Sequence, residues 1–169
     1  MTEDSYTTTV TFDRSPADVY AAINDVRGWW SEEVEGEADR VGGEFAFRGH
    51  DDADTVEHLS RIRVVELVPG ERVVWRVLDN YMSFIDDQSE WRGTEVRFEL
   101  SAVGAGAELR FTHVGLVPSY ECFDVCNDAW GHYLRDSLPA FVATGVGDPI
   151  RRSQHSPESV AARIGATVG

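Results

Sequence analysis

Two histidines and one asparagine could take part in chemistry because each falls on a face that the sequence pattern otherwise fills with apolar side chains. His58 and His113 lie on the inward faces of predicted strands, and Asn127 lies between Phe123 and Trp130 on one face of a predicted helix. A buried histidine is usually neutral and satisfied by one hydrogen bond, and a buried amide also needs a partner. Each of the three is therefore either a structural group or a polar anchor for a bound molecule, and the sequence leaves both interpretations open.

No catalytic motif accompanies these residues in the sequence. Ser60 shares a strand face with His58, but no third group is placed to orient the imidazole, and the G-x-S-x-G elbow is missing. The sequence also has no glycine-rich phosphate loop after a strand and no H-E-x-x-H pair. We therefore expect no catalytic residue, metal or cofactor, and whether the protein is an enzyme stays open.

The two cysteines, Cys122 and Cys126, are four residues apart in a helical pattern. Side chains at this spacing lie on neighbouring turns, where their directions suit a disulfide poorly, and no further ligand at a zinc-like spacing is near. We predict two buried free thiols.

Strands are predicted wherever apolar residues alternate with polar ones. The alternation marks segments 6–12, 44–49, 55–68, 72–78, 94–100 and 108–113, while segment 79–93 is ambiguous. A helix starts at Ser15-Pro16, which are a typical N-cap and first helical residue, and ends at Gly28. The short connections between the later strands favour an antiparallel meander.

The longest helical pattern follows Pro118. Its apolar face is predicted to be bent at Pro139, to end at Gly145 and Gly147, and to include Trp130 with Gly131 beside it for a close backbone approach. The stripe consists of Tyr120, Phe123, Asn127, Trp130, Leu134, Leu138 and Phe141. We place one domain at 1–147 and a tail at 148–169, in which 156–164 could form a short helix.

The charge of the chain limits its partners. Fifteen basic residues, all arginine, face 30 acidic ones, for a net charge of −15. Nucleic acids and anionic membranes need a basic footprint, so neither is expected as a partner. The sequence has no apolar run long enough to span a bilayer and no signal-peptide pattern at its start, and we therefore expect a cytoplasmic protein.

Several segments resemble a known superfamily. The stretches GWWSEEVEG, VVWRVLDN, EWRGTEVRFEL, LRFTHVGLVP and YECFDVCNDAWGHYL are similar to the START-like (SRPBCC) proteins, in particular to the branch named after the C-terminal domain of the activator of the heat-shock protein 90 ATPase. The likeness spans residues 6–147. It implies an α+β helix-grip (START/Bet v 1-like) fold, in which a curved antiparallel sheet wraps around a long C-terminal helix.

A sheet curled around one helix leaves either a packed core or a cavity, and the aromatic residues favour a cavity for a small apolar or aromatic molecule. An enzyme of the aromatase or cyclase type and a co-chaperone-like adaptor are the alternatives. The heat-shock activators carry a second, N-terminal domain for which residues 1–5 leave no room, so the co-chaperone role is less expected. A homodimer is a further expectation for the assembly. The ligand-binding residues that we predict are Trp30, Phe47, His58, Trp75, Trp91, His113, Tyr120, Phe123, Asn127 and Trp130.

Overall fold

A seven-stranded antiparallel sheet and a C-terminal helix make up most of the residues that the computed structural model describes, which are 5–50, 56–88, 90–151 and 164. This is the α+β helix-grip architecture that the sequence predicts. The elements in chain order are β1 (Tyr6–Phe12), α1 (Pro16–Asn24), α2 (Val26–Trp29), β2 (Val34–Gly36), β3 (Glu44–His50), β4 (Glu57–Val68), β5 (Arg72–Met82), β6 (Glu95–Val103), β7 (Gly106–Val114), α3 (Phe123–His132), a π-helical turn (Tyr133–Ser137) and α4 (Leu138–Thr144).

The strands follow a meander with one exception. The order across the sheet is β1-β7-β6-β5-β4-β3-β2, so consecutive strands are neighbours from β2 to β7 and β1 pairs with the last strand. Alternation places one side chain in two on the inner face, where Trp75, Phe98 and Phe111 are fully buried. The inner face is thus lined with aromatic rings that face the C-terminal helix.

The N-terminal helix is interrupted before the glycine at which the sequence predicted its end. The Ser15 hydroxyl caps it by accepting from the Asp18 N–H at 3.2 Å, as the sequence predicts. The chain leaves helical geometry at Asp25 and starts a single further turn, α2, that delivers Trp29 into the core. There the Trp29 indole donates to the Ile23 carbonyl at 3.1 Å, which satisfies its only polar group.

The C-terminal helix departs from regular geometry one turn before Pro139. The Leu138 N–H donates to the Tyr133 carbonyl, five residues back, so residues 133–137 form a π-helical turn. Proline lacks an N–H and its ring clashes with the carbonyl four residues earlier in a regular helix, and a wider turn relieves both problems. The predicted kink is therefore realised as a wide turn ahead of the proline.

The buried face of α3 is offset by one residue from the predicted stripe. Cys122, Cys126 and Trp130 are buried at intervals of four residues, whereas Phe123 and Asn127 are only half-buried. Both cysteines are free and buried, as predicted. The close backbone approach predicted at Gly131 is wrong, because a Cβ atom there would have no described atom within 4 Å.

The residues that follow α4 pack against the domain and form hydrogen bonds with it. We call residues 148–151 the C-terminal strap. Its Ile150 N–H donates to the Trp30 carbonyl at 2.9 Å, and its Ile150 carbonyl accepts from the Glu32 N–H at 2.8 Å. The predicted tail therefore starts with residues that pack on the domain, while the short helix predicted over 156–164 lies, except for a buried Ile164, outside the described residues.

The segment 79–93, for which the sequence left a strand end and a loop over the sheet as alternatives, contains both a strand end and a loop. Strand β5 extends to Met82, and the following turn is tied to its end by the Gln88 side chain, whose amide accepts from the Met82 N–H and donates to the Met82 carbonyl.

None of the described helices has the length and apolar character that crossing a bilayer would need.

Candidate functional site

An apolar cavity of about 230 Å³ lies between the inner face of the sheet and α3. Its walls come from β3, β4, β5, the segments that precede β4 and follow β5, α3, the π-helical turn, the strap and Trp30, which follows α2. The lining residues are Trp30, Phe47, Gly49, His50, Val56, His58, Met82, Phe84, Trp91, Val125, Cys126, Ala129, Trp130, Tyr133 and Ile150.

Trp30 is the centre of the aromatic wall. Its ring stacks on Phe47 with centroids 4.0 Å apart, on Trp130 at 5.3 Å and on Trp75 at 5.4 Å. Such offset stacks bury large apolar areas and fix ring orientation. Because Trp30 immediately follows α2, the break at Asp25 is what aims this ring at the sheet.

A polar cluster interrupts the aromatic wall on strands β4 and β5. His58 and Ser60 are two residues apart on one face of β4, and Asn80 on β5 lies directly opposite Ser60. The Ser60 hydroxyl donates to Asn80 Oδ1 at 2.6 Å, and His58 Nε2 lies 2.7 Å from the same oxygen. Burial lowers the pKa of His58 to about 4, and the hydrogen bond with Asn80 offsets only part of that effect. The imidazole is therefore neutral near pH 7.

His113 is fully buried behind the cavity wall. The Trp130 indole donates to His113 Nδ1 at 3.2 Å, and His113 Nε2 lies 2.8 Å from the Thr94 hydroxyl, which itself donates to the Trp91 carbonyl. That hydroxyl already donates its one hydrogen to the Trp91 carbonyl, so it can only accept from His113 Nε2, which therefore carries a proton. Burial lowers the pKa of His113 to about 3. This histidine is thus a neutral structural group that orients Trp130.

The structure brings five of the ten predicted residues to the cavity: Trp30, Phe47, His58, Trp91 and Trp130. Trp75 and His113 are fully buried in the layer behind it.

The other three predicted residues neither line the cavity nor belong to the fully buried layer behind it. Tyr120 and Phe123 are half-buried and pack against the core. Asn127 lies on the side of α3 that faces β1, in a polar groove with Thr8 and Arg135. The prediction of Asn127 as a cavity residue is therefore not matched by its position, because the buried face of α3 runs through Cys126 instead.

Several cavity residues were missed by sequence reasoning. Cys126, Ala129 and Tyr133 follow from the true helix register, which the burial preference of cysteine could have indicated. Met82 and Phe84 come from the segment with unclear periodicity. Ile150 lies in the predicted tail, and no local pattern marks it.

Gly49 and Ile150 meet at one side of the cavity. A Cβ atom on Gly49 would lie 3.2 Å from the Ile150 side chain and 3.0 Å from the Phe47 ring. The glycine thus leaves space for the strap to pack. His50 Nε2 next to it lies 2.7 Å from the Arg151 carbonyl, a second contact that holds the strap.

A buried cluster of ion pairs lies beside the cavity, centred on Arg48 of β3. The Arg48 guanidinium donates to the Glu33 carboxylate at 3.0 Å and to Glu57 at 2.8 Å, and Glu33 is fully buried. Removing one partner of such a cluster leaves an uncompensated charge, so its role is structural. Among the described residues, no group of three or more histidine, cysteine or acidic side chains could hold a metal ion.

The Cys126 thiol faces the cavity but is a poor nucleophile. A hydrogen bond with Cys122 and burial raise the pKa of Cys126, so the sulfur stays protonated at neutral pH. The cavity is therefore equipped for apolar contact and hydrogen bonding rather than for covalent chemistry at sulfur.

Comparison with known proteins gives a family match. The profile of the family described as Activator of Hsp90 ATPase homolog 1-like protein matches residues 13–143 of the chain. A comparison with curated protein sequences gives no significant match.

Solved structures share the fold. The Aha1 dimer from Colwellia psychrerythraea is 23% identical with a TM-score of 0.65, over 85% of this chain and 98% of that one. DynU16, from the dynemicin biosynthetic locus, is 15% identical with a TM-score of 0.63, over 89% of this chain and 52% of that one. CalU16 from Micromonospora echinospora is 19% identical with a TM-score of 0.60, over 85% of this chain and 76% of that one.

Proposed function

The chain belongs to the Activator of Hsp90 ATPase homolog 1-like family of START-like domains, and from that premise we propose that it binds a small aromatic molecule in the cavity between its sheet and α3. The observation that carries this proposal is the cavity itself, whose lining includes the aromatic rings of Trp30, Phe47, Trp91 and Trp130. Aromatic rings pair favourably in offset-stacked or edge-to-face arrangements, so an aromatic ligand suits such a lining.

The volume of the cavity limits the size of the ligand. A cavity of about 150 Å³ lined by apolar side chains is known to hold benzene. The cavity of about 230 Å³ in this protein therefore accommodates one substituted aromatic ring or two fused rings. Larger lipids or polycyclic molecules would require the strap or α3 to move.

Charge also limits the ligand. The described lining residues include no arginine, and the sequence has no lysine, so neither of these permanently charged side chains is there to pair with a ligand carboxylate or phosphate. The buried Glu33 nearby and the net charge of −15 further disfavour anions. A neutral ligand fits this setting.

The proposal is tested by NMR titration of the ¹⁵N-labelled protein with toluene and with indene. We expect saturable, one-site shifts of the Trp91 and Trp130 indole N–H signals. Ala129→Phe places a phenyl ring inside the cavity and should abolish these shifts. Ala143→Phe, the same change at an exposed position of α4, is the matched control and should bind like the wild type. Shifts that do not saturate, or that survive Ala129→Phe, would refute a cavity-bound ligand.

A cyclase-type enzyme is the second candidate, and the observation that favours it is the neutral His58 at the cavity wall. A neutral imidazole beside an apolar chamber could exchange a proton with a reactive chain folded there. The fold neighbour DynU16 comes from a biosynthetic locus, which fits this idea without assigning a substrate. Turnover of a polyketide-like substrate that His58→Phe abolishes would favour the enzyme over the binding protein.

A homodimer remains a proposal for the assembly of the protein. It is supported by the dimer of the Colwellia protein and by the position of β1 and β2 as the two edge strands of the sheet.

A further inference from the structure

His58 and Trp91 both bring to the cavity a ring nitrogen that has no described hydrogen-bond partner, and His58 is the one of the two that can accept. None of the described residues donates a hydrogen bond to its Nδ1 atom, whereas its Nε2 atom contacts both Asn80 and Ser60. His113 offers the contrast, since both of its nitrogens have partners. Both ring nitrogens of His113 therefore have hydrogen-bond partners among the described residues, whereas only one ring nitrogen of His58 has them.

The hydrogen-bond partners fix which nitrogen of His58 carries the proton. Asn80 Oδ1 is a carbonyl oxygen and can only accept, and it already accepts from the Ser60 hydroxyl at 2.6 Å. With the Asn80 amide in the orientation that the structure gives it, His58 Nε2, at 2.7 Å from the same oxygen, carries the hydrogen. The neutral ring then has a lone pair on Nδ1, which makes this atom an acceptor.

The ring cannot turn to find another partner. Trp91 packs against it edge to face at 4.6 Å and Phe47 at 5.3 Å, while Nε2 is tied to β5. Asn80 is 2% exposed, so the anchoring amide is itself immobile within the sheet. An acceptor held in this way at the wall of an apolar cavity offers a ligand donor a fixed hydrogen-bonding point.

We propose that the ligand is a neutral aromatic of one or two rings that carries a hydrogen-bond donor, either a phenolic hydroxyl or an indole-type N–H, which donates to His58 Nδ1. This inference rests on the proposed function, because it names the chemical class of ligand for the same cavity. The aromatic walls recognise the ring, and His58 recognises the donor and sets the orientation of the ring.

Three bicyclic molecules of nearly equal shape test the inference by calorimetric titration. Indole offers an N–H donor, indene replaces it with a methylene group, and benzofuran replaces it with an oxygen acceptor. We expect indole to bind about fivefold to tenfold more tightly than either of the others, which corresponds to one satisfied hydrogen bond. His58→Phe should reduce the ratio of indole to indene affinity to near one.

A second measurement needs no variant and so remains valid if His58→Phe fails to fold. In protein labelled with ¹⁵N-histidine, indole should shift the His58 Nδ1 resonance towards the position of a hydrogen-bonded nitrogen, and indene should not. Failure of all three molecules to bind would sink the proposed function. Equal binding of all three, tightest binding of benzofuran, or an unshifted Nδ1 signal with bound indole would overturn this inference and leave the aromatic cavity standing.

Discussion

His113 and His58 share an inner sheet face and yet have different roles. Their strand parity predicts that both point inward, and the structure agrees. What sequence reasoning could not supply is the partner of each nitrogen, because Thr94, Trp130 and Asn80 come from distant parts of the chain. The distinction between a structural histidine and a ligand anchor depends on those partners alone.

Burial of His113 makes stability sensitive to acid. Its pKa falls from 6.5 to about 3, so between these values the unfolded state binds more protons and stability decreases as the pH falls. His58 acts in the same direction between 6.5 and about 4. Each neutral histidine contributes a loss of about 1.4 kcal/mol per pH unit below its unfolded pKa.

We predict that His113→Gln reduces the loss of stability between pH 7.5 and pH 5 by about 2 kcal/mol relative to the wild type. The glutamine amide can still accept from Trp130 and donate to Thr94 but cannot become charged. Urea unfolding at both pH values measures the difference. Equal losses in the two proteins would contradict the assignment of a neutral, buried His113.

At the level of elements, the register of α3 shows why an amphipathic pattern is ambiguous by one residue. Phe123 and Cys126 are both apolar, and either could mark the buried face of α3. The larger side chain, Phe123, is the natural choice from sequence, and it places Asn127, one turn later, on the same face. The structure buries the smaller Cys126, because Trp130 needs the space between α3 and the sheet for its own ring. Packing of large rings, which no local pattern contains, decides the register.

Two glycines on helices should respond to alanine in opposite ways. Gly131→Ala adds a Cβ atom in open space and removes a flexible residue from α3, so we expect stability to rise by about 0.5–1 kcal/mol. Gly28→Ala places its Cβ atom 2.4 Å from the Phe141 ring and should cost about 1–3 kcal/mol. Thermal and urea unfolding of both variants provides the comparison. Destabilisation by Gly131→Ala would mean that α3 packs differently from this description.

For the molecule as a whole, alternation and turn residues predicted six of the seven strands, without β2, and the C-terminal helix, and the resemblance to START-like proteins implied the fold class. The cavity was harder to predict because its volume depends on what side chains leave empty. Gly49 has no side chain and so leaves space for the strap, and Ile150 of the strap closes one side of the cavity from outside the predicted domain. No local sequence pattern identifies either residue as part of a cavity. An empty space is a property of the assembled fold.

The family name invites a test of the co-chaperone alternative. The large exposed apolar side chains among the described residues come from separate parts of the chain: Val41, Tyr81, Val103, Val125 and Val146. Val125 belongs to the cavity lining and Val103 to the end of β6, whereas a protein-binding adaptor would display such side chains as one contiguous patch.

We therefore expect the purified protein at micromolar concentration to leave the Hsp90 ATPase rate unchanged, in an assay where an established activator raises it. Reproducible stimulation would place protein binding ahead of small-molecule binding.

Trp30 belongs to two structures at once. Its ring forms the cavity wall, and its carbonyl accepts the Ile150 N–H of the strap. If a ligand in the cavity shifts Trp30, occupancy of the cavity and attachment of the strap become linked equilibria, and linkage is reciprocal. Whatever factor an attached strap adds to the affinity for a ligand, the bound ligand adds the same factor to the attachment of the strap.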